Sequence, residues 1–243
     1  MVRRGGRDRG DVIEIEDGAL ALYDEAGVPI QVIPPEVCES VRLKVARLRL
    51  TDGSDVPARH GVISSLSGEG VTLVTRALAL VLSNDLGRRV CIVELNFWSP
   101  SPWAEDRDSG GGIAEIVAAG ASLDAVLVHT GSPGLSMLPT GRTVVSERPL
   151  LANSPDLDAV LDTLAERFDH VLLDLPALDA TSDGLTLAEK ASNLVLVVHH
   201  GVTAESDVIA AAEQLAGLPV LGAILNAHSS RLPAFIRRRL PSV

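Results

Sequence analysis

The chain is predicted to fold as an α/β protein, a mostly parallel sheet with helices on both faces. Three observations carry this. Short apolar runs such as GVISSL (61–66), RVCIVEL (89–95), HVLLDL (170–175) and NLVLVV (193–198) recur along the chain. Strands apolar on both faces belong to parallel sheets buried under helices. The segments between these runs have helical periodicity or capping signals. Finally, 46% of the residues are hydrophobic but only 2% aromatic, so the core must be built from Val, Leu, Ile and Ala.

In chain order, residues 1–11 combine Gly and Arg without an apolar period and read as a disordered basic arm. VIEIE (12–16) alternates as a short strand does. Pro34-Pro35 opens a helix over 35–49, with Val37, Val41, Val45 and Leu48 at helical spacing. TDGSDVPARHG is a loop. Then come strand 61–66, helix 70–86 closed by Gly87, strand 89–95, an irregular stretch 96–112 and helix 113–119. Strand 135–138, helix 156–167, strand 170–175, helix 184–191, strand 193–198, helix 204–217 and strand 219–225 complete the series. No internal repeat or second domain is evident, so 12–230 is expected to form one domain, followed by a basic tail, 231–243.

The net charge of −11 argues against general nucleic-acid binding. The ends differ from the whole. Arg3, Arg4, Arg7 and Arg9 crowd one, and Arg231, Arg237, Arg238 and Arg239 the other. Such tails serve solubility, or peripheral contact with anionic lipid or an acidic partner. No apolar run approaches the roughly 20 residues of a membrane span. Cys38 and Cys91 form no metal or redox motif, and the expected location is the cytoplasm.

Residues 61–72, GVISSLSGEGVT, run strand, glycine turn, helix. Backbone N–H groups and a helix N-terminus then face an anion. The Walker A pattern is followed at Ser65, Gly70 and Thr72, but Val71 stands at the lysine place. Valine has neither the charge nor the donor that the lysine brings to the β- and γ-phosphates. Arg76, just over a helical turn on, would have to lean across the loop to replace it. Alone, this pattern reads as an ordinary strand-to-helix turn.

From about residue 35 to 226, the order of segments resembles the bacterial tyrosine kinases (BY-kinases) of capsule and exopolysaccharide systems. These share a branch of the P-loop NTPases with the MinD and ParA ATPases. Glu39 and Arg42 match two positions of an early Glu-x-x-Arg-x-x-Arg motif, which implies a subunit contact; Val45 replaces the third. Ser67-Gly68-Glu69-Gly70 keeps the middle of the phosphate loop. In CIVELNFWSP, Glu94 and Asn96 replace two aspartates, Trp98 an arginine, and Pro100 is kept. FDHVLLDLPAL resembles Walker B and keeps Asp174 and Pro176. Asp183 and Thr203 match later positions. Asn226 matches an asparagine that meets the adenine base. Leu66 stands where MinD and ParA carry a second lysine, which favours the kinase side.

The resemblance implies an ATP site with Mg²⁺ held at Thr72 and Asp174, and nucleotide contacts from Ser67, Gly68, Glu69, Gly70, Thr72, Asp174 and Asn226. The departures at Val71, Glu94 and Asn96 imply impaired catalysis. Asn96 is a poor general base, Glu94 has a changed reach, and the family's C-terminal tyrosine cluster is absent, Tyr23 being the sole tyrosine. The expectation is a regulatory pseudo-kinase of polysaccharide biosynthesis and export. Its expected partners are a membrane polysaccharide co-polymerase, an active kinase paralogue, or further copies of itself. Two alternatives stand beside it: an active kinase or ATPase with a rewired site, and a MinD/ParA-like positioning protein whose tail (Leu232, Phe235, Ile236, Leu240 among arginines) meets the membrane. His129, His199 and His200 lack metal spacing. Trp98 and Trp103 are read as loop packing or a partner contact.

Overall fold

The computed structural model describes residues 17–52 (side chains to 46), 59–98 and 111–226. The basic arm, strand 12–16, Pro100, Trp103 and the basic tail lie outside the described residues, as does the side chain of Leu48. The expected architecture is present: a seven-stranded, mostly parallel sheet with helices on both faces.

The described chain opens with a hairpin, β1 (Leu20–Tyr23) and β2 (Pro29–Ile33), which had not been anticipated from the sequence. Its strands are too short for a clear period. Its turn is closed by Asp24 Oδ1, which accepts from the Ala26 and Val28 N–H groups, with Gly27 at φ 78°. Helix α1 (Pro35–Asp52) follows, and then β3 (Arg59–Ser64), α2 (Val71–Leu80) and β4 (Val90–Glu94). The predicted helix 70–86 is α-helical only to Leu80; Val81–Asp85 continue it as a π turn. Next come α3 (Ile113–Ala119), α4 (Leu123–Val126), β5 (Val128–His129), β6 (Leu135–Leu138) and α5 (Arg148–Ala152). Of these, α4, β5 and α5 are too short to show in the sequence pattern. The chain ends in α6 (Pro155–Arg167), β7 (His170–Asp174), α7 (Asp183–Ala188), β8 (Asn193–His199), α8 (Glu205–Gln214) and β9 (Val220–Asn226).

The strand order is β5-β6-β4-β7-β3-β8-β9, and only β5 runs antiparallel to its neighbour. Alternate residues of each strand face opposite layers. On one face Ile63, Val93, Leu173 and Leu196 pack with Leu157 and Leu161 of α6. On the other, Val62, Ile92, Leu172 and Val197 pack with α1, α2 and the hairpin residues Leu22 and Ile33. Burial of these side chains at about 25 cal/mol per Å² of apolar surface is the main stabilising term. The parallel strands end together, so the carboxyl edge of β3, β4 and β7 gathers loops from distant parts of the chain.

Candidate functional site

Three strand ends define the site. β3 sits beside β7, and β7 beside β4. In the β4–β7 pairing Glu94 is the Cα partner of Asp174, and in β3–β7 Val62 is. The loop after β3 therefore arches over both acids. It takes two left-handed glycines, Gly68 (φ 85°) and Gly70 (φ 95°), and Gly70 caps α2. A Cβ on Gly70 would lie 2.1 Å from Asn226 Nδ2, so both backbone angle and space require glycine there.

Glu69 holds the loop from behind. Only 3% exposed, it accepts from Leu66 N–H (2.8 Å), Ser65 Oγ (3.1 Å), His199 N–H (3.3 Å) and the Thr203 hydroxyl. Burial opposes its ionisation, but the hydrogen bonds from Leu66, Thr203, His199 and Ser65 outweigh this and hold its carboxyl below the usual range. Asn226 Nδ2 donates to the Glu69 carbonyl at 2.8 Å. Both side chains are thus bound to the loop or the strand behind it, and neither lines the cavity in front.

That cavity has a volume of about 330 Å³. Ser64, Ser67, Thr72 and Asn96 bring its polar side chains, and Val71, Trp98, Leu175 and Ala177 its apolar wall. No Lys or Arg is among the described lining residues. Val71, at the lysine place, is also part of the core cluster beneath α2. Trp98 lies against Phe97, ring centres 6.0 Å apart.

The charged groups lie behind and beside this lining. Thr72 Oγ1 donates to Asp174 Oδ2 at 2.8 Å. Asp174 is buried, and among the described residues its Oδ1 has no hydrogen-bond partner. Burial pushes its carboxyl up to about 7; the Thr72 hydroxyl opposes this, the Glu94 carboxylate adds to it, and Arg76 opposes it. Arg76 does not lean back over the loop. Its Nη2 lies 3.3 Å from Glu94 Oε1 and its Nη1 donates to Gln31 Oε1 at 2.6 Å. One guanidinium thus ties helix, strand and hairpin. Asp179, which the sequence had not singled out, accepts from both Ser67 N–H (2.9 Å) and Ser67 Oγ (3.0 Å). An acid close after Walker B was its only sequence signal.

Three expected positions lie away from the cavity. Asp183 sits in the first turn of α7, its N–H donating to Thr181 Oγ1. Arg42 binds Asp85 of the same chain at 2.6 Å, with Glu39 at 3.9 Å. As a seat for an Mg²⁺-nucleotide, the described residues fit in backbone shape and in the Thr72–Asp174 pair. They do not fit in charge: among the described residues no cationic side chain lines the cavity, and Glu94 is already paired with Arg76.

A strand, a glycine loop arching into a helix, and a paired hydroxyl and acid at the carboxyl edge of a parallel sheet define the P-loop NTPase class. Within it, residues 60–216 match the family model described as cellulose biosynthesis protein BcsQ, and the chain belongs to that family. The resemblance to bacterial tyrosine kinases also holds. The tyrosine-protein kinase ptk of Acinetobacter johnsonii is 29% identical over 121 residues, which are 49% of this chain but only 16% of that protein. The kinase domain of VpsO superposes with a TM-score of 0.70 at 24% identity, covering 80% of this chain and 95% of that one. The septum site-determining protein MinD of Pyrococcus horikoshii, solved with Mg-ADP, superposes with a TM-score of 0.57 at 23% identity, covering 75% and 76%. No helix among the described residues is long and apolar enough to cross a membrane.

Proposed function

We propose that this protein is a non-catalytic regulatory member of its family, acting in exopolysaccharide biosynthesis and export. The observation that carries this reading is Val71, buried in the core where a phosphate lysine would stand, with no Lys or Arg among the described residues of the cavity. Phosphoryl transfer depends almost entirely on positioned positive charge. The family's description, cellulose biosynthesis, supports the choice of pathway. The proposed partners are a membrane polysaccharide co-polymerase or an active kinase paralogue, engaged at the inner face of the cell membrane. Calorimetric titration with Mg²⁺–ATP, paired with a phosphate-release assay, tests the reading. The expected result is no binding at micromolar concentration and no turnover. Tight binding with turnover overturns it.

One observation favours a second reading, a rewired enzyme: the Arg76 guanidinium lies 3.3 Å from Glu94 at the site's margin, and its release would place a cation near phosphate. Phosphotransfer that disappears in Asp174→Ala would support this reading. Activity that survives the substitution points to a contaminant.

A further inference from the structure

We propose that the cavity under the phosphate loop takes an uncharged, hydroxyl-rich ligand of nucleoside or short-saccharide size, stacked on Trp98. The inference rests on the reading that polyphosphate chemistry has been given up, and says what the retained cavity holds instead.

Among the described lining residues none carries a charge. Val71 stands in the core beneath the loop, and the indole of Trp98 is part of the cavity wall. Asn96 adds an amide. Glu94 is 3% exposed and paired with Arg76. Asp174 is 4% exposed and lies behind Thr72, whose hydroxyl it accepts. Among the described lining residues only hydroxyls, an amide, backbone groups and apolar side chains remain.

Two features oppose an anion directly. The Asp179 carboxylate already occupies the Ser67 N–H and hydroxyl, groups that a loop of this shape would offer to phosphate. Behind the described lining stand the carboxyl groups of Asp174 and Asp179, bound to Thr72 and Ser67, and Glu94, beside an Arg76 guanidinium that is committed to Glu94 and Gln31. Among the described residues no cationic side chain lines the cavity to meet a polyphosphate, and leaving such charge unpaired is costly in a partly desolvated site.

The same lining suits a polyol. A sugar ring has an apolar face that stacks on an aromatic ring and a rim of hydroxyls that, unlike phosphate oxygens, can donate to the Ser64, Ser67 and Thr72 oxygens, whose own protons are already given to Leu66 O, Asp179 and Asp174. About 330 Å³ lies within the range of small-molecule sites and accommodates one or two rings. A nucleoside shares this chemistry, its base providing the stacking face.

The test uses the full chain with Trp103→Phe, which leaves Trp98 as the only tryptophan. Its emission is followed on titration with adenosine, cellobiose and Mg²⁺–ATP. A saturable change with adenosine or cellobiose, at concentrations where Mg²⁺–ATP produces none, is the expected result. The responding probe identifies the source of the ligand. In calorimetry on the otherwise native chain, Trp98→Ala should weaken that probe about tenfold, and Trp98→Phe should retain most of the affinity with an unchanged circular dichroism spectrum. If neither neutral probe binds at millimolar concentration, the inference falls and the regulatory reading stands. If Mg²⁺–ATP binds more tightly than both and is turned over, both fall. Equal affinity in Trp98→Ala and the native chain would also overturn the inference.

Discussion

Replacing Arg76 by methionine leaves Glu94 without its guanidinium partner inside the protein. The two side chains are 11% and 4% exposed and lie 3.3 Å apart. Removing one member of such a buried pair typically costs about 3–5 kcal/mol, because the remaining charge keeps its desolvation penalty and loses its compensation. Arg76→Met also loses the hydrogen bond to Gln31, which ties the hairpin to α2. The loss translates into a melting temperature lower by about 6–20 °C for a chain of this size. Urea unfolding at neutral pH measures it directly, through the midpoint at constant slope. Glu94→Leu on top of Arg76→Met should recover much of the loss, since a buried ion pair exchanged for apolar side chains is often close to neutral. The Gln31 contact stays broken in both variants, so the recovery does not come from it. A cost below about 1 kcal/mol for Arg76→Met, or a double variant no more stable than the single one, would refute the reasoning and mean that water shields the pair.

Further outcomes are expected. Gly70→Ala should destabilise the loop by about 1–3 kcal/mol, because its φ of 95° is strained for alanine and the new Cβ meets Asn226; Asn226→Ala in the same chain should relieve only the contact, as thermal unfolding of the two variants will reveal. Asp174, with its carboxyl pushed up to about 7, binds a proton in the folded chain more readily than in the unfolded one. Its contribution to stability therefore falls as pH rises from about 4 to about 7, and unfolding of Asp174→Asn compared with the native chain from pH 4 to 8 should isolate a difference on the order of a few kcal/mol that grows with pH. Burial raises both the Cys38 and the Cys91 thiol, so the folded protein should react very slowly with a thiol reagent at pH 8 and both cysteines rapidly in urea; fast labelling of the native chain would contradict the burial.

The fold was legible because its evidence is local. Runs such as HVLLDL declare a buried strand, and the glycines before Val71 declare a turn into a helix. Gly70, Thr72 and Asp174 were legible for a related reason: a motif places them at strand ends, and parallel strands bring those ends together. The engagements among them were not legible. Thr72 meets Asp174 across 102 residues, Ser67 meets Asp179 across 112, and Asn226 reaches Glu69 across 157. Sequence spacing carries no information on which way a side chain turns once strands are paired. Arg76 shows this most directly. Its helical position alone left it free to lean over the loop, but with β4 and the hairpin alongside it the guanidinium meets Glu94 and Gln31. The sequence by itself determined the class of fold, the position of the loop and the absence of lysine at its end. Only the tertiary structure decided that the surrounding charges are turned away from the cavity or spent on one another, because electrostatic pairing depends on distances of a few ångströms that strand order, not chain order, sets.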